Sequence, residues 1–153
     1  MKLSTKGRYG LRALLDVAVH AQDDLVSISS IAARENISEA YLEQLMAKLK
    51  KAGLIVSQRG AQGGYRLAKP PGQISVGDVL RALDGNLDAV TCPGLSDEGC
   101  AGSEGCVTKY VWQKINESIT KAVDEISLCT LVRESRLNAK KDGPGSGDGG
   151  CCC

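Results

Sequence analysis

The sequence predicts a mainly α-helical chain with one small β-hairpin among its helices and a long amphipathic helix near its C-terminal end. Three observations predict this. Apolar residues recur at three- and four-residue steps over residues 4–21, 29–51 and 106–126, the period of helices that bury one face. One glycine-punctuated stretch, "LIVSQRGAQGGYRLAK", alternates instead, as a hairpin does. A chain of 153 residues is long enough for one compact domain plus an appended element.

The elements follow in order. Residues 4–21, "STKGRYGLRALLDVAVHA", carry Tyr9, Leu11, Leu14, Leu15, Val17, Ala18 and Val19 on a broad apolar face, and Ser4 or Thr5 can cap the start. "LVSI" is a short extended piece. "SSIAARENISEAYLEQLMAKLKKAGLI" gives two helices around a tight turn at 35–37, with Ser29 or Ser30 capping the first and Ser38 the second. In the second, Leu42, Leu45, Met46 and Leu49 recur at core spacing and Gly53 ends the helix. This is a helix-turn-helix. The two strands that follow, 54–58 and 65–67, are joined by a turn in which Gly60, Gly63 and Gly64 suit a wing and not a phosphate cradle, because no helix follows them.

A hairpin directly after a helix-turn-helix makes a winged helix, a fold that sets its second helix in the major groove and its wing on backbone or minor groove. Lys48, Lys50, Lys51, Arg59 and Arg66 add charge that neutralises phosphate. The charge balance agrees: residues 1–70 hold 11 Lys/Arg against 6 Asp/Glu, and residues 71–153 hold 8 against 12. Double-stranded DNA is the expected partner.

"SVGDVLRALDG" then reads as a helix with Ser75 as cap, Asp78 at capping-box distance and Gly85 as stop. From about residue 106, Val107, Val111, Ile115, Ile119, Ala122 and Ile126 form the stripe of a helix of about 20 residues. So small a domain does not cover such a stripe, and a second copy of the chain is the natural cover. Residues 128–137 add a short final helix, and "GPGSGDGG" is a tail by composition. The expected organisation is 1–84 for the winged helix-turn-helix, 85–106 for a cysteine-rich loop, 107–138 for the dimerisation helix and short final helix, and 139–153 for the tail.

Cysteine usage carries the chemistry. "CPGLSDEGCAGSEGC" sets Cys92, Cys100 and Cys106 in a short glycine-rich loop, a grouping of soft donors that reads as a metal or iron-sulfur ligand set needing a fourth member. The start, "MKLSTKGRYG", lacks the apolar run and cleavage site of a secretory signal, and no stretch approaches the length of a membrane span. A cytoplasmic location is expected, where seven cysteines serve as ligands or redox thiols and not as a disulfide framework. Cys129, in "ISLCTLV", reads as a small buried packing residue. Cys151, Cys152 and Cys153 receive no role. The sequence offers no paired catalytic histidine and no nucleotide-binding glycine motif, so an enzyme is not expected.

"MKLSTKGRYGLRALLDVA", "ISEAYLEQLMAKLKKAGLI", "RGAQGGYRLAK", "ISVGDVLRALDG" and the three-cysteine loop before "TKYVW" together resemble the IscR family of bacterial iron-sulfur assembly regulators and its winged-helix relatives. The resemblance spans residues 1–135. It implies a homodimeric transcription factor that holds a 2Fe-2S cluster in each subunit, dimerises through the long helix, receives its cluster from the assembly machinery and represses cluster-assembly genes when loaded. By the same resemblance Ser38, Tyr41 and Gln44 face DNA from the recognition helix, and Arg59 enters the minor groove from the wing.

Two departures matter. Seven residues separate Cys92 from Cys100, a longer gap than in familiar members, and five separate Cys100 from Cys106. Lys109 stands three residues after the last cysteine, where those members have histidine. A protonated ammonium has no lone pair to give to iron. The candidates for the fourth ligand are the one histidine, His20, at the end of the first helix; Asp97, Glu98 and Glu104 in the loop; water or a small thiol; and Glu43 on the recognition helix, donated by the other subunit. Glu43 is favoured because it would tie occupancy to the helix that reads DNA. A carboxylate is a harder donor than imidazole or thiolate, so such a cluster would be easily lost, as suits a sensor. The competing reading is a winged-helix regulator with a structural zinc or a cysteine redox switch in the same loop.

Overall fold

Ser4 opens helix α1 (Thr5–His20) by accepting a hydrogen bond from the Gly7 amide at 3.1 Å, and it donates to the Asp84 carboxylate. The computed structural model describes residues 3–21, 24–96 and 99–141. Helix α2 (Ile28–Glu35) begins earlier than the serine pattern suggests. Its cap is Ser27, which accepts from the Ser30 amide at 3.2 Å, and neither Ser29 nor Ser30 takes that place. The reason is tertiary: Val26 exchanges two backbone hydrogen bonds with Tyr65, at 2.9 and 2.8 Å, so the chain is held extended up to Ser27 and turns helical directly after it.

Asn36 closes α2 in the left-handed region at φ 53°, a conformation asparagine tolerates. Ser38 then caps α3 (Glu39–Lys51) through the Tyr41 amide at 3.3 Å, and Gly53, at φ +72°, turns the chain out of it. The wing is an antiparallel pair, β1 (Ile55–Gln58) with β2 (Gly64–Leu67), in register Ile55 to Leu67 and Gln58 to Gly64. After a single 3-10 turn at Pro71–Gln73 comes α4 (Val76–Asp84). Its reciprocal capping box pairs the Ser75 hydroxyl with the Asp78 amide and the Asp78 carboxylate with the Ser75 amide, both at 3.0 Å.

Two helices close the described chain, as the sequence reading expects: α5 (Lys109–Asp124) and α6 (Leu128–Lys141), the latter reaching beyond the expected residue 137. The expected helix of about 20 residues is therefore 16 residues long. A backbone bridge accounts for the stop: the Leu128 amide donates to the Ile74 carbonyl, and the Val76 amide to the Ile126 carbonyl, each at 2.8 Å. These bonds hold residues 126 and 127 out of helical geometry, and Leu128 opens α6 fully buried.

One core joins the elements. Leu14 and Val17 of α1, Ile31 of α2, Leu42, Leu45, Met46 and Leu49 of α3, Val79 of α4 and Leu128 of α6 are all at most 1 % exposed and share a cluster. So α6 packs back on α1 and completes the winged unit. A second small cluster, Val76, Leu80 and Leu87, seats α5 through Val123. Gly10 permits the crossing of α1 over α4, since a Cβ there would fall 2.3 Å from a Leu83 methyl. Asp16, 6 % exposed, is neutralised by a two-pronged hydrogen bond from Arg34, both contacts 2.7 Å, which fixes α2 to α1. Cys129 is buried, at 5 % exposed. No helix among the described residues is long and apolar enough to cross a membrane.

Candidate nucleic-acid interface and cysteine loop

Helix α3 turns its apolar face wholly inward, and this leaves Ser38, Glu43 and Gln44 exposed on the other side. Tyr41 is half-buried: its ring meets Tyr9 edge-on, with centroids 6.2 Å apart at 85°. Tyr9 in turn lies 5.5 Å beneath the Arg12 guanidinium, which pairs with Glu35 at 2.7 Å. Between α3 and the wing lies an open groove of about 630 Å³ whose lining includes Glu43, Met46, Lys50, Arg59 and Tyr65. Arg59 is exposed in the turn of the wing, directly after β1. Burial first, and then the negative charge of Glu43, push the Tyr65 phenol above its usual range.

The basic residues divide by role. Lys50 donates to the Ser57 hydroxyl at 2.6 Å, across the gap between α3 and the wing, and so stays on the groove. Lys48 donates to the Leu83 carbonyl at 2.9 Å and serves as a cap on the last turn of α4. Its ammonium is committed to the fold, so of the five basic residues on α3 and the wing, Lys50, Lys51, Arg59 and Arg66 remain to offer exposed positive charge.

The cysteine loop hangs between α4 and α5. A 3-10 turn, Pro93–Leu95, follows Cys92. Cys92 and Cys100 converge on Gly94, where an added Cβ would lie 3.6 Å from the Cys92 sulfur and 3.8 Å from the Cys100 Cβ. Cys106 stands apart, its sulfur 3.2 Å from the Thr108 hydroxyl. The bond from Thr108, followed by backbone amides, holds the Cys106 thiol below its usual range. Lys109 reaches back to the Ser103 carbonyl at 2.6 Å with its ammonium 5.4 Å from the centre of the Tyr110 ring. It ties the end of the loop to the start of α5.

Among the described residues no three His, Cys, Asp or Glu side chains gather as a metal-holding group. Of the candidates for a fourth donor, His20 bonds its ring nitrogen to the Asp16 carbonyl at 2.9 Å. Glu104 is exposed on the loop and Glu43 lines the wing groove. Asp97 and Glu98 lie outside the described residues, as do Cys151, Cys152 and Cys153. The donor chemistry nevertheless suits an iron-sulfur cluster. Three thiols, two of them flanking Gly94, sit on a glycine-rich loop where Cβ positions at Gly99, Gly102 and Gly105 meet nothing within 4 Å. Cys92, Cys100 and Cys106 would hold the cluster, with one position left for a donor from elsewhere.

The sequence reading missed Asn116. This α5 residue accepts hydrogen bonds from the amides of Ala89 and Val90, at 2.9 and 3.4 Å, and donates to the Val90 carbonyl at 3.1 Å. A signal was present: Asn116 falls four residues after Trp112 and three before Ile119, a polar residue on the half-buried side of the helix.

A helix-turn-helix with an exposed recognition face and a basic wing defines a DNA-binding winged-helix transcriptional regulator. Residues 3–134 match the Rrf2 family, described as iron-dependent transcriptional regulators, and the chain belongs to that family. Over 142 residues it is 45 % identical to the HTH-type transcriptional regulator IscR of Aliivibrio salmonicida, covering 93 % of this chain and 83 % of that one. Among solved structures it is similar to IscR of T. potens, at 42 % identity and TM-score 0.70, covering 96 % of this chain and 94 % of that one. It is likewise similar to CymR, the global cysteine regulator of B. subtilis, at 36 % identity and TM-score 0.73, covering 88 % and 98 %.

Proposed function

We propose that this regulator senses iron-sulfur supply by holding a 2Fe-2S cluster on Cys92, Cys100 and Cys106, and that it represses cluster-assembly genes when loaded. The observation that carries the reading is the convergence of Cys92 and Cys100 over Gly94, in a loop seated on α5. Kinship with regulators named IscR supports it. In this reading residues 1–84, with α6 docked on them, read DNA; 85–106 hold the cluster; and 107–138 make the homodimer. Val111 and Ile115 on α5, 50 % and 37 % exposed, with Ile126 just beyond its end at 41 %, supply the apolar face that a second copy covers. Ser38, Tyr41 and Gln44 meet the major groove and Arg59 the minor groove.

The fourth donor in this proposal is Glu43 from the other subunit, exposed on the recognition helix and in no ion pair among the described residues of its own chain. When bound, the cluster supplies a charge and a crosslink that exist in only one of two states, which is what a population shift requires. The chain's own residues pass that difference on. The loop rests on α5, and Arg81 of α4 grips Asp124 of α5 at 2.5 Å. Helix α4 then packs on both α1 and α3. The cluster-assembly machinery is the expected donor.

The test is anaerobic purification of wild type and Glu43→Ala, with visible spectra and iron, sulfide and zinc analysis. A red-brown wild type with about two irons and two sulfides per chain, bleached or shifted in the variant, is expected. An unchanged spectrum in Glu43→Ala removes Glu43 as ligand. A colourless protein with stoichiometric zinc replaces the sensor with a structural staple. The adjacency of Cys92 and Cys100 also favours a second reading, a redox switch, which predicts metal-free DNA binding that responds to reductant.

A further inference from the structure

Between Asp84 and the cysteine loop the chain has no regular structure, yet residues 89 and 90 are half-buried and lie two to three residues before Cys92. Buried backbone amides need partners. Those of Ala89 and Val90 find theirs in the side chain of Asn116, as does the Val90 carbonyl. A primary amide offers one acceptor oxygen with two lone pairs and two N–H donors. Three of those four possibilities are used here on two successive residues, so the side chain does what a neighbouring strand would do. At the other end of the loop Lys109 performs a similar service for Ser103, at 2.6 Å.

We propose that Asn116 is a positioning residue for the cysteine loop: by clasping the backbone of Ala89 and Val90 it fixes Cys92 to α5, the helix whose apolar face is open to a second subunit. The proposal rests on the reading of Cys92 as a ligand for its link to the cluster, and on the hydrogen bonds alone for the clasp. The chemistry of the clasp is specific. Alanine removes all three bonds. Aspartate keeps the acceptor for the two amides, loses the donor and sets a negative charge against the Val90 carbonyl. Each lost bond to a half-buried group is worth on the order of a tenfold change in local opening. With the segment released, Cys92 loses its fixed distance from Cys100, whereas Cys106, held by Thr108 beyond the far end of the loop, keeps its surroundings.

The experiment compares the full-length wild type with Asn116→Ala, Asn116→Asp and the control Gln113→Ala, whose side chain bonds only Glu117 on the exposed side of α5. Circular dichroism melting first confirms that each variant is folded, and Asn116→Asp keeps the test alive if the alanine variant is not. In the cluster-free chains, hydrogen exchange reads the Ala89 and Val90 amides, and iodoacetamide labelling with peptide mass spectrometry reads each thiol. The expected result is that Asn116→Ala exchanges those two amides about tenfold or more faster, alkylates Cys92 several-fold faster and leaves Cys106 unchanged. Asn116→Asp falls between, and Gln113→Ala behaves as wild type. Equal exchange in wild type and Asn116→Ala overturns the clasp; faster exchange with unchanged Cys92 labelling overturns the positioning role. In anaerobically loaded protein, faster bleaching of the visible band by an iron chelator in Asn116→Ala is expected, and unchanged bleaching overturns the link to the cluster. A wild type that takes up no cluster refutes the cluster reading, while exchange and labelling still decide the clasp.

Discussion

Helices α3 and α5 look alike in sequence and end differently in the fold. Both are amphipathic, 13 and 16 residues long, with branched or long apolar side chains every three or four positions. In α3 the stripe Leu42, Leu45, Met46 and Leu49 is at most 1 % exposed. In α5 no residue is buried, and Tyr110 and Val111, like Val107 just before the helix, are half-exposed or more. The period of a helix states that it has an apolar face; it does not state which molecule covers it. For α3 the cover is α1, α2 and α4 of the same chain, and for α5 the proposed cover is a second copy.

Two substitutions separate these cases. Leu45→Ala deletes a side chain 1 % exposed in the centre of the core and should lower the unfolding free energy by about 2 to 5 kcal/mol, read by urea denaturation. Ile115→Asp, at a position 37 % exposed, should leave the unfolding of the single chain nearly unchanged and convert the dimer to monomer in analytical ultracentrifugation. If Ile115→Asp unfolds the chain while leaving its mass in solution unaltered, the two helices do not differ in the way argued here.

Much of the fold was legible because the deciding interactions are local. The stripe of α3, its Ser38 cap and its Gly53 stop lie within one helix and its flanks, and the capping box of Ser75 and Asp78 spans three residues. What escaped depends on residues far apart in sequence. The start of α2 is set by Tyr65, which holds Val26 extended; the end of α5 at Asp124, short of Ile126, is set by the bridge to Ile74 and Val76; and Lys48 is drawn from the basic surface by Leu83. The site divides in the same way. The three cysteines are read from spacing, and Lys109 stands out after them only through the family resemblance, but the convergence of Cys92 and Cys100 on Gly94 and the reach of Asn116 to residues 89–90 need the fold.

The comparison sharpens on the DNA side. Arg59 is exposed at the wing, whereas Lys48 is tied to α4. Arg59→Ala should therefore weaken specific binding by about 1 to 3 kcal/mol and flatten the salt dependence by roughly one counterion. Lys48→Met should leave the salt slope unchanged while lowering thermal stability slightly. Fluorescence anisotropy on one operator at several salt concentrations reads both. Equal changes in slope would place Lys48 back on the DNA.

The smallest effect tests the capping box that starts α4, the helix lying between α3 and α5. The Ser75 amide, the largest influence, holds the Asp78 carboxyl below the usual carboxylate range, aided by the nearby Arg81. A carboxyl whose folded pKa is lowered stabilises the fold wherever it is ionised in both states, and that contribution is lost as pH falls through the folded value. Asp78 is 43 % exposed at its side chain, so with solvent screening the whole contribution is a few tenths to about 1 kcal/mol. Asp78→Asn should then be less stable than wild type by that amount at neutral pH, read by urea denaturation. The gap should hold down to about pH 4, the ordinary range of an unfolded aspartate, and close below it. A gap that persists at the lowest pH where both proteins fold would assign the loss to the shape of the asparagine cap and not to the charge of Asp78.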